Sequence, residues 1–182
     1  QLGHTWKAKV VKRTFGDKPQ GCPYCANQKV WSGFNDLQTH YPEIAKEANG
    51  WNPDSVAKSS SKRLSWKCSE GHEYKMTVTN RVLQGQSCPI CSNRKILPGV
   101  NDLLTLHPTL AKEAFGWDPS TLGPGSNSKQ QWICTLGHIW KAQVYERAIN
   151  RTGCPYCKNV KVLSGFNDLA SKFPLIAIDA DG

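Results

Sequence analysis

Three cysteines and one histidine occur twice in this sequence with the same spacing, and side chains of these types can hold a metal ion. The first set is Cys68, His72, Cys88 and Cys91. The second set is Cys134, His138, Cys154 and Cys157. Three thiolates and one imidazole complete the tetrahedral ligand set of structural Zn²⁺ and leave no position for a catalytic water. We therefore expect two structural zinc sites.

A third set of ligands lies near the start of the sequence and lacks one member. His4, Cys22 and Cys25 match the other sets, but the position of the first cysteine would fall directly before Gln1. The histidine and the next cysteine are also two residues further apart than in the other sets. We expect a longer loop at residues 16–19 to absorb this difference, and we read the set as a third, incomplete zinc site.

The eight cysteines could instead form disulfide bonds, as in small secreted domains. Pairing within a set of three cysteines would leave one of them over, whereas three cysteines and one histidine satisfy a metal ion completely. We therefore favour zinc. Thiols that bind metal suit a reducing compartment, so we expect an intracellular, cytoplasmic location.

The ligands belong to a repeat with a period of 66 residues. The Cys-Pro-x-Cys motifs keep this period, and so do the Gly-x-Asn-Asp-Leu segments that start at Gly33, Gly99 and Gly165. The phase of the repeat predicts a Cys directly before Gln1 and a Trp directly after Gly182 in the parent protein. The chain would then be three periods of a longer array.

Residue alternation predicts a half-buried strand after each histidine of the two complete sets. Tyr74 and Met76 fall on one face of such a strand, and Lys75 and Thr77 fall on the other. Together with the segment around Trp66, this strand could form a hairpin across the metal-binding turn.

Each Asn-Asp-Leu segment predicts the start of a helical region. Asn35, Asn101 and Asn167 are good candidates to cap these helices. A proline inside each region disfavours helix at the residue before it and suits the first turn of a new helix. In the first repeat we therefore expect two short helices with a bend between them, at about residues 36–41 and 43–48.

These elements predict small α+β modules that are stabilised by zinc, each a β-hairpin with a metal-binding knuckle followed by two short helices. The modules would span residues 1–50, 64–116 and 130–182. Residues 51–63 and 117–129 are rich in Ser, Pro, Gly and Asn and are typical of linkers. A module of this size buries little apolar surface, so zinc would serve folding and not catalysis. We predict no enzymatic activity in these residues.

Seven tryptophans occur in the chain, and most of them lie near the ligands. We expect four of them to shield the metal, namely Trp6, Trp66, Trp132 and Trp140. Trp51 and Trp117 could pack between modules.

The motifs together resemble a family of tandem domains from bacteria and viruses that are described as zinc-ribbon or treble-clef zinc fingers. In the second repeat the resemblance rests on Trp66 through Tyr74, Arg81, Cys88-Pro-Ile-Cys91 and Asn101 through Leu103. It extends over nearly the whole chain. It implies a treble-clef-like fold with zinc on the cysteines and histidines named above. Because some members of the family are fused to nuclease-like domains, it also implies an association with nucleic acid.

The net charge of +9 is distributed unevenly along each repeat. The segments that contain the zinc ligands carry +5, +6 and +5, at residues 1–31, 56–97 and 129–163. The helical segments carry −3, −2 and −2, at residues 35–54, 101–119 and 164–182. A basic surface next to each zinc site suits phosphate groups.

Nine basic residues occupy equivalent positions in the three repeats, and we expect them to contact phosphates. They are Lys7, Lys75 and Lys141 on the predicted strand, Arg13, Arg81 and Arg147 further along, and Lys29, Lys95 and Lys161 after the cysteine pair. Other uses stay open. The arginines could pair with Asp36, Asp102 and Asp168 of their own repeats, or zinc segments could dock on acidic helical segments of the next repeat. The lysines could simply face solvent.

The leading hypothesis is a non-catalytic zinc-finger array that binds nucleic acid, DNA in particular, mainly through backbone phosphates. The alternative is a structural array whose repeats stack on one another or on a protein partner. An enzyme would need a catalytic domain outside these residues. No run of about 18 apolar residues is present, so we expect no membrane span. We also expect no small-molecule substrate.

Overall fold

The computed structural model describes residues 3–15 and 20–179. The chain divides into two compact units, Gln1–Ser92 and Asn93–Gly182, which we call unit 1 and unit 2. The described part of each unit contains a two-stranded antiparallel sheet and several short helices. This architecture confirms the predicted class of small α+β modules.

The two units contain similar elements in a similar order. In unit 1 they are α1 (Val10–Thr14), α2 (Leu37–His40), α3 (Pro42–Ala45), β1 (Arg63–Lys67), β2 (Glu73–Thr77) and α4 (Val78–Val82). In unit 2 they are α5 (Leu103–Leu106), α6 (Pro108–Ala111), β3 (Lys129–Ile133), β4 (Ile139–Gln143), α7 (Val144–Ala148), α8 (Leu169–Lys172) and α9 (Pro174–Ala177). Short 3-10 turns precede the two sheets, at Pro53–Ser55 and Pro119–Thr121.

Strands β1 and β2 form the hairpin expected from the sequence, with Trp66 opposite Tyr74. The alternation predicted for β2 is present, because Tyr74 and Met76 are buried while Lys75 is exposed. Trp66 is fully buried, and its indole Nε1 donates to the carbonyl of Met76 at 3.0 Å. Trp132 does the same in unit 2, where it donates to the carbonyl of Ala142. These two tryptophans are therefore the centres of the apolar cores.

The helix pairs have the predicted bend, but their caps lie one residue later than expected. Asp36, Asp102 and Asp168 cap α2, α5 and α8, and each accepts a hydrogen bond from the backbone N–H three residues on. The preceding asparagines, which we predicted as caps, bond instead to the backbone of the loops that lead to these helices. Aspartate and asparagine cap helices about equally well, so residue preference could not separate the two neighbours.

Helices α2 and α3 pack against the hairpin that follows them in sequence. Leu37 and Trp66 belong to the same buried cluster and are both fully buried. Ala48 forms an isolated β-bridge with Trp66, and the N–H of Lys67 donates to the carbonyl of Glu47 at 2.8 Å. The core of unit 1 thus joins the helices of one repeat to the hairpin of the next.

Residues 51–63, which the composition suggested to be a linker, contribute to this core. Val56 is buried, and its carbonyl accepts a hydrogen bond from the N–H of Leu37 at 2.8 Å. The rings of Trp51 and Trp66 pack edge to face with centroids 5.0 Å apart. The predicted module boundaries stay a prediction, and these contacts identify the fragments that would test them.

Helices α8 and α9 repeat the pattern of α2 and α3, but their apolar side chains are exposed. Leu169 is 48% exposed, whereas its equivalents Leu37 and Leu103 are fully buried. Phe173 and Ile176 are exposed as well. The apolar face of this helix pair is therefore open to solvent in the described part of the chain. None of the described helices is long and apolar enough to cross a membrane.

Candidate metal centre

The four ligands predicted in unit 1 converge on one point. His72 Nδ1 lies 3.6 Å from Cys68 Sγ, 3.9 Å from Cys88 Sγ and 3.2 Å from Cys91 Sγ. The Sγ atoms of Cys68 and Cys91 are 3.8 Å apart, too far for a disulfide bond. All four ligand atoms lie within 4.8 Å of one another.

These separations can be compared with those around a tetrahedral zinc ion. Bonds of about 2.3 Å to sulfur and about 2.0–2.1 Å to nitrogen place two sulfurs about 3.8 Å apart, and a sulfur and a nitrogen about 3.6 Å apart. The distances in unit 1 scatter around these values. The group therefore fits Zn²⁺ with four protein ligands, which fill every tetrahedral position.

Unit 2 repeats the arrangement closely. His138 Nδ1 lies 3.5 Å from Cys134 Sγ, 3.6 Å from Cys154 Sγ and 3.2 Å from Cys157 Sγ. The Sγ atoms of Cys134 and Cys157 are again 3.8 Å apart. This second Cys3His group fits Zn²⁺ in the same way.

The third group brings together the three ligands that the sequence predicted near the start of the chain. His4 Nδ1 lies 3.5 Å from Cys22 Sγ and 3.4 Å from Cys25 Sγ. The described residues supply three ligands here, and these also fit Zn²⁺. Residues 16–19, which we expected to absorb the longer spacing, lie outside the described residues.

Two turns direct the four ligands of unit 1 toward one another. In the turn between β1 and β2, the N–H of Cys68 donates to the carbonyl of His72 at 3.1 Å, and the N–H of Gly71 donates to that of Cys68 at 2.9 Å. Gly71 has a φ of 79°, a conformation that glycine adopts without steric cost. The second turn follows α4, where the N–H of Ser92 donates to the carbonyl of Cys88 at 3.0 Å.

The clustered thiols oppose one another's ionisation when no cation is bound. Burial and hydrogen bonding with Cys88 and Cys68 raise the pKa of Cys91 to about 12. Burial also tends to raise the pKa of Cys88, but the backbone N–H groups of Cys91 and Ile90 outweigh it and lower that pKa. Zinc binds thiolates, so its binding must release protons from this cluster.

An asparagine braces the loop that follows each cysteine pair in sequence, a role that sequence reasoning missed. Asn35 Oδ1 accepts from the N–H of Trp31 at 2.7 Å, and its Nδ2 donates to the carbonyls of Tyr24 and Lys29 at 2.9 and 2.8 Å. The loop therefore has a fixed shape directly after the Cys-Pro-x-Cys turn. A signal was present, because the asparagine keeps its place after the cysteine pair in every repeat.

The other two asparagines form the same brace. Asn101 accepts from the N–H of Leu97 at 2.7 Å and donates to the carbonyl of Lys95 at 3.0 Å. Asn167 accepts from the N–H of Leu163 at 2.6 Å and donates to the carbonyls of Tyr156 and Lys161 at 3.1 and 2.8 Å. Each brace thus ends on the backbone of a lysine that we predicted to contact phosphate.

Phenylalanine rings pack on the histidine ligands of two groups. The ring centroids of His4 and Phe34 are 4.3 Å apart, and those of His138 and Phe166 are 4.1 Å apart. The second repeat has Val100 at the equivalent position. We predict a shield of tryptophans from the sequence, whereas phenylalanines of the Gly-Phe-Asn-Asp-Leu segments contact these two histidines, joined at His4 by Trp31.

Arg81, which we predicted to contact phosphate, binds a carboxylate of the preceding helical segment. Its Nε and Nη2 donate to Glu47 at 3.0 and 2.6 Å, and the two side chains are 15% and 21% exposed. The hydroxyl of Tyr74 donates to the same carboxylate at 2.9 Å. Hydrogen bonding to Glu47 raises the pKa of Arg81 above its usual value.

Arg147 has an equivalent partner in unit 2. It forms an ion pair with Glu113, and its guanidinium lies over the rings of Trp132 and Trp140. Both arginines are therefore bound to glutamates. The aspartates that we considered as partners are the helix caps described above. Arg13 differs, because it is exposed and donates to the carbonyl of Gln20 at 2.6 Å.

The six lysines of the predicted phosphate set are all exposed, at positions 7, 29, 75, 95, 141 and 161. Lys75 and Lys141 lie on the outer faces of β2 and β4, next to residues that are buried or half-buried. Lys29, Lys95 and Lys161 lie in the braced loops next to the cysteine pairs. Their contact with phosphate stays a prediction.

A comparison with known protein families agrees with this geometry. Residues 1–28, 42–94 and 110–160 match the model of a family described as the probable treble clef zinc finger domain. The matched segments contain every cysteine and histidine of the three metal groups. No curated protein matches the chain.

Proposed function

Because this chain belongs to the family of probable treble clef zinc finger domains, we propose that it is a non-catalytic array that binds the phosphate backbone of nucleic acid, DNA in particular. Zinc in a Cys3His set has no open position, so we assign it a folding role. A site that holds zinc through three thiolates suits a reducing compartment, and we propose that the protein works in the cytoplasm.

The position of Lys29, Lys95 and Lys161 is the observation that carries the proposal. In each repeat, the carbonyl of this lysine accepts a hydrogen bond of 2.8 to 3.0 Å from the bracing asparagine. The backbone is fixed a few residues after the cysteine pair, while the lysine side chain is exposed to solvent. A positive charge on a fixed backbone loses less conformational entropy when it meets a phosphate than one on a mobile loop.

Lys7, Lys75 and Lys141 add a second exposed charge to each zinc-binding segment. Arg13 is exposed and remains in the proposed contact set. We leave out Arg81 and Arg147, because each guanidinium is largely buried and paired with a glutamate, and it would have to break that pair to reach a phosphate. The proposed contacts carry no base recognition, since lysines that meet phosphates position a protein without reading sequence.

A titration of the zinc-loaded chain with duplex DNA at several salt concentrations tests the proposal. Each phosphate contact contributes about 0.9 to the slope of log affinity against log salt concentration. The double variant Lys95→Ala/Lys161→Ala is expected to lower that slope by about 1.8. The matched control is Lys46→Ala/Lys112→Ala, which removes the same charge from exposed helical positions. Absence of binding at low salt, or equal slopes for both variants, would rule the proposal out.

A protein-interaction array is the second candidate, and the exposed apolar face of α8 and α9 favours it. Leu169, Phe173 and Ile176 present apolar side chains to solvent there. Because α2 and α3 bury the same face against the hairpin that follows them, we expect this face to receive a hairpin of another repeat. Under this alternative, sedimentation would show zinc-dependent association that is independent of DNA and is lost in Phe173→Ser. Under the leading proposal, the lysine variants are the ones that change DNA binding.

A further inference from the structure

Unit 2 contains a surface pocket of about 640 Å³ beside its metal group. Helix α6, helix α7 and the loop that leads to Cys154 form its walls. The charged and titratable residues that line it are His107, Glu113, Arg147, Arg151 and Lys158. Three of them are cationic at neutral pH, and one is anionic, so the pocket carries a formal charge of +2 with His107 neutral.

The equivalent positions of unit 1 carry a different charge. One period earlier, Arg151 and Lys158 correspond to Gly85 and Ser92, and Thr109 on the pocket wall corresponds to Glu43. The same positions in unit 1 therefore carry a formal charge of −1, from one arginine and two glutamates. The basic pocket is specific to unit 2 and does not follow from the shared fold.

Arg147 is the inner cation of the pocket and has an unused donor. It is 7% exposed, and its Nε is buried without a hydrogen-bond partner among the described residues. The equivalent Nε of Arg81 donates to Glu47 at 3.0 Å. Because this guanidinium is buried and paired with Glu113, Arg147 holds a fixed positive charge behind the pocket wall.

Arg151 occupies a backbone conformation that favours glycine. Its φ is 53°, and Gly85 has a φ of 62° at the equivalent position of unit 1. An arginine here costs conformational free energy that a glycine would avoid, and it gains no salt bridge within the described part of the chain. Strain of this kind often accompanies a functional role.

Gly153 provides space for the second outer cation. A Cβ atom at this position would lie 2.8 Å from Cε of Lys158, so the lysine packs directly over the glycine. Unit 1 has Ser87 in this place. The side chain of Lys158 also forms no salt bridge among the described residues. Arg151 and Lys158 thus bring two unpaired charges to the mouth of a pocket whose inner wall holds an arginine.

We propose that this basic pocket of unit 2 binds a phosphate group. Arg151 and Lys158 contact the phosphate and neutralise its charge, and the buried guanidinium of Arg147 adds positive charge at the inner wall. Guanidinium groups suit phosphate because their fixed donors match its oxygens. The phosphate belongs either to a nucleic-acid backbone or to a free phosphate compound. The inference goes beyond the proposed function, because a free phosphate would fill the pocket even if the chain bound no DNA.

The test is a titration of the zinc-loaded, ¹⁵N-labelled chain with inorganic phosphate, followed by NMR at constant ionic strength. Saturable shifts are expected for the backbone amides of Arg151, Thr152 and Gly153. Gly85 and Gln86 of unit 1 are expected to stay unchanged. Equal shifts in both units, or shifts that sodium chloride reproduces, would overturn the proposal.

The matched variant gives the pocket the residues of unit 1, Arg151→Gly/Lys158→Ser. We expect at least a tenfold loss of phosphate affinity. The thermal unfolding temperature should not fall, because glycine suits the backbone at position 151. The control Lys112→Ser/Lys129→Ser removes the same charge from exposed positions outside the pocket and is expected to bind phosphate as the parent does. An unchanged phosphate affinity in the pocket variant would contradict the proposal.

A duplex oligonucleotide then identifies the source of the phosphate. If the same amides shift with DNA, and inorganic phosphate reverses the shifts, the ligand is the nucleic-acid backbone. If only inorganic phosphate shifts these amide signals, the ligand is a free phosphate compound. If the chain does not bind DNA, the titration with inorganic phosphate still tests the pocket. If the pocket does not bind phosphate, the variants of Lys95 and Lys161 still test the proposed DNA contacts. The two proposals therefore fail separately.

Discussion

Arg81 and Glu47 form two hydrogen bonds, at 3.0 and 2.6 Å, although they belong to different copies of the repeat. Glu47 follows α3 in the first repeat, and Arg81 lies in α4, which follows the hairpin of the second. The β-bridge between Ala48 and Trp66 lies close to this pair in sequence. The helical segment of one repeat is therefore bound to the next repeat by charge, backbone pairing and apolar contact.

We predict that Glu47→Ala destabilises unit 1 by about 3 kcal/mol, because removal of one partner leaves a largely buried guanidinium unpaired. The double variant Glu47→Met/Arg81→Met is expected to be more stable than Glu47→Ala, since it removes both charges. Chemical denaturation in excess zinc measures both. Glu43→Ala, which breaks an exposed ion pair with Lys46, is the control and should change the free energy of unfolding by less than about 1 kcal/mol. A similar loss in all three variants would contradict the prediction.

The metal ligands could be predicted from the sequence because their chemistry depends on residue type and spacing, and both repeat. The direction in which the helices dock could not be predicted, because in a periodic chain each helical segment has one hairpin before it and another after it. Glu47 and Arg81 recur as Glu113 and Arg147 at the same separation, which was the available signal. The cap was misplaced by one residue because Asn and Asp satisfy the same backbone groups, and only the three-dimensional loop gives Asn35 its other partners.

We predict that Asn167→Asp loosens the metal group of unit 2. The carboxylate cannot donate, so it would face the carbonyls of Tyr156 and Lys161 without hydrogen bonds, at a cost of about 2 kcal/mol. Asn127→Asp is the control, because it makes the same exchange at an exposed position. Denaturation and the rate of zinc transfer to a chelator measure the effect. Equal behaviour of the two variants would show that the brace contributes nothing.

We predict that the zinc affinity of the Cys68 group falls steeply with decreasing pH. Burial and the neighbouring thiols raise the pKa of Cys91 to about 12, so this thiol is protonated in the metal-free site at neutral pH and must lose its proton when zinc binds. Each proton released lowers the apparent affinity tenfold per unit of pH below the thiol pKa. Competition with a chelator between pH 8 and pH 6 should therefore show at least a tenfold loss per unit. An affinity independent of pH would exclude thiolate ligation.

We predict that Phe166→Ala accelerates zinc loss from unit 2 about tenfold, as expected for residues that support a metal ligand. The ring of Phe166 packs on that of His138 at 4.1 Å and restricts its orientation. Phe173→Ala is the control, because Phe173 is 58% exposed. The measurement is the rate of zinc transfer to a chromogenic chelator. Equal rates for both variants would mean that the ring does not hold the histidine.

We predict that the fragment of residues 33–92 folds more stably than the fragment of residues 64–116, although both contain the complete Cys68 group. The first fragment keeps Leu37 and Val56 in contact with the hairpin, whereas the second follows the module boundaries that the sequence suggested. Burial of a large aliphatic side chain contributes about 1.5–3 kcal/mol, so the loss of this cover should cost more than about 3 kcal/mol. Thermal unfolding in excess zinc, followed by tryptophan fluorescence, compares the two. A more stable 64–116 fragment would show that each hairpin folds with the helices that follow it.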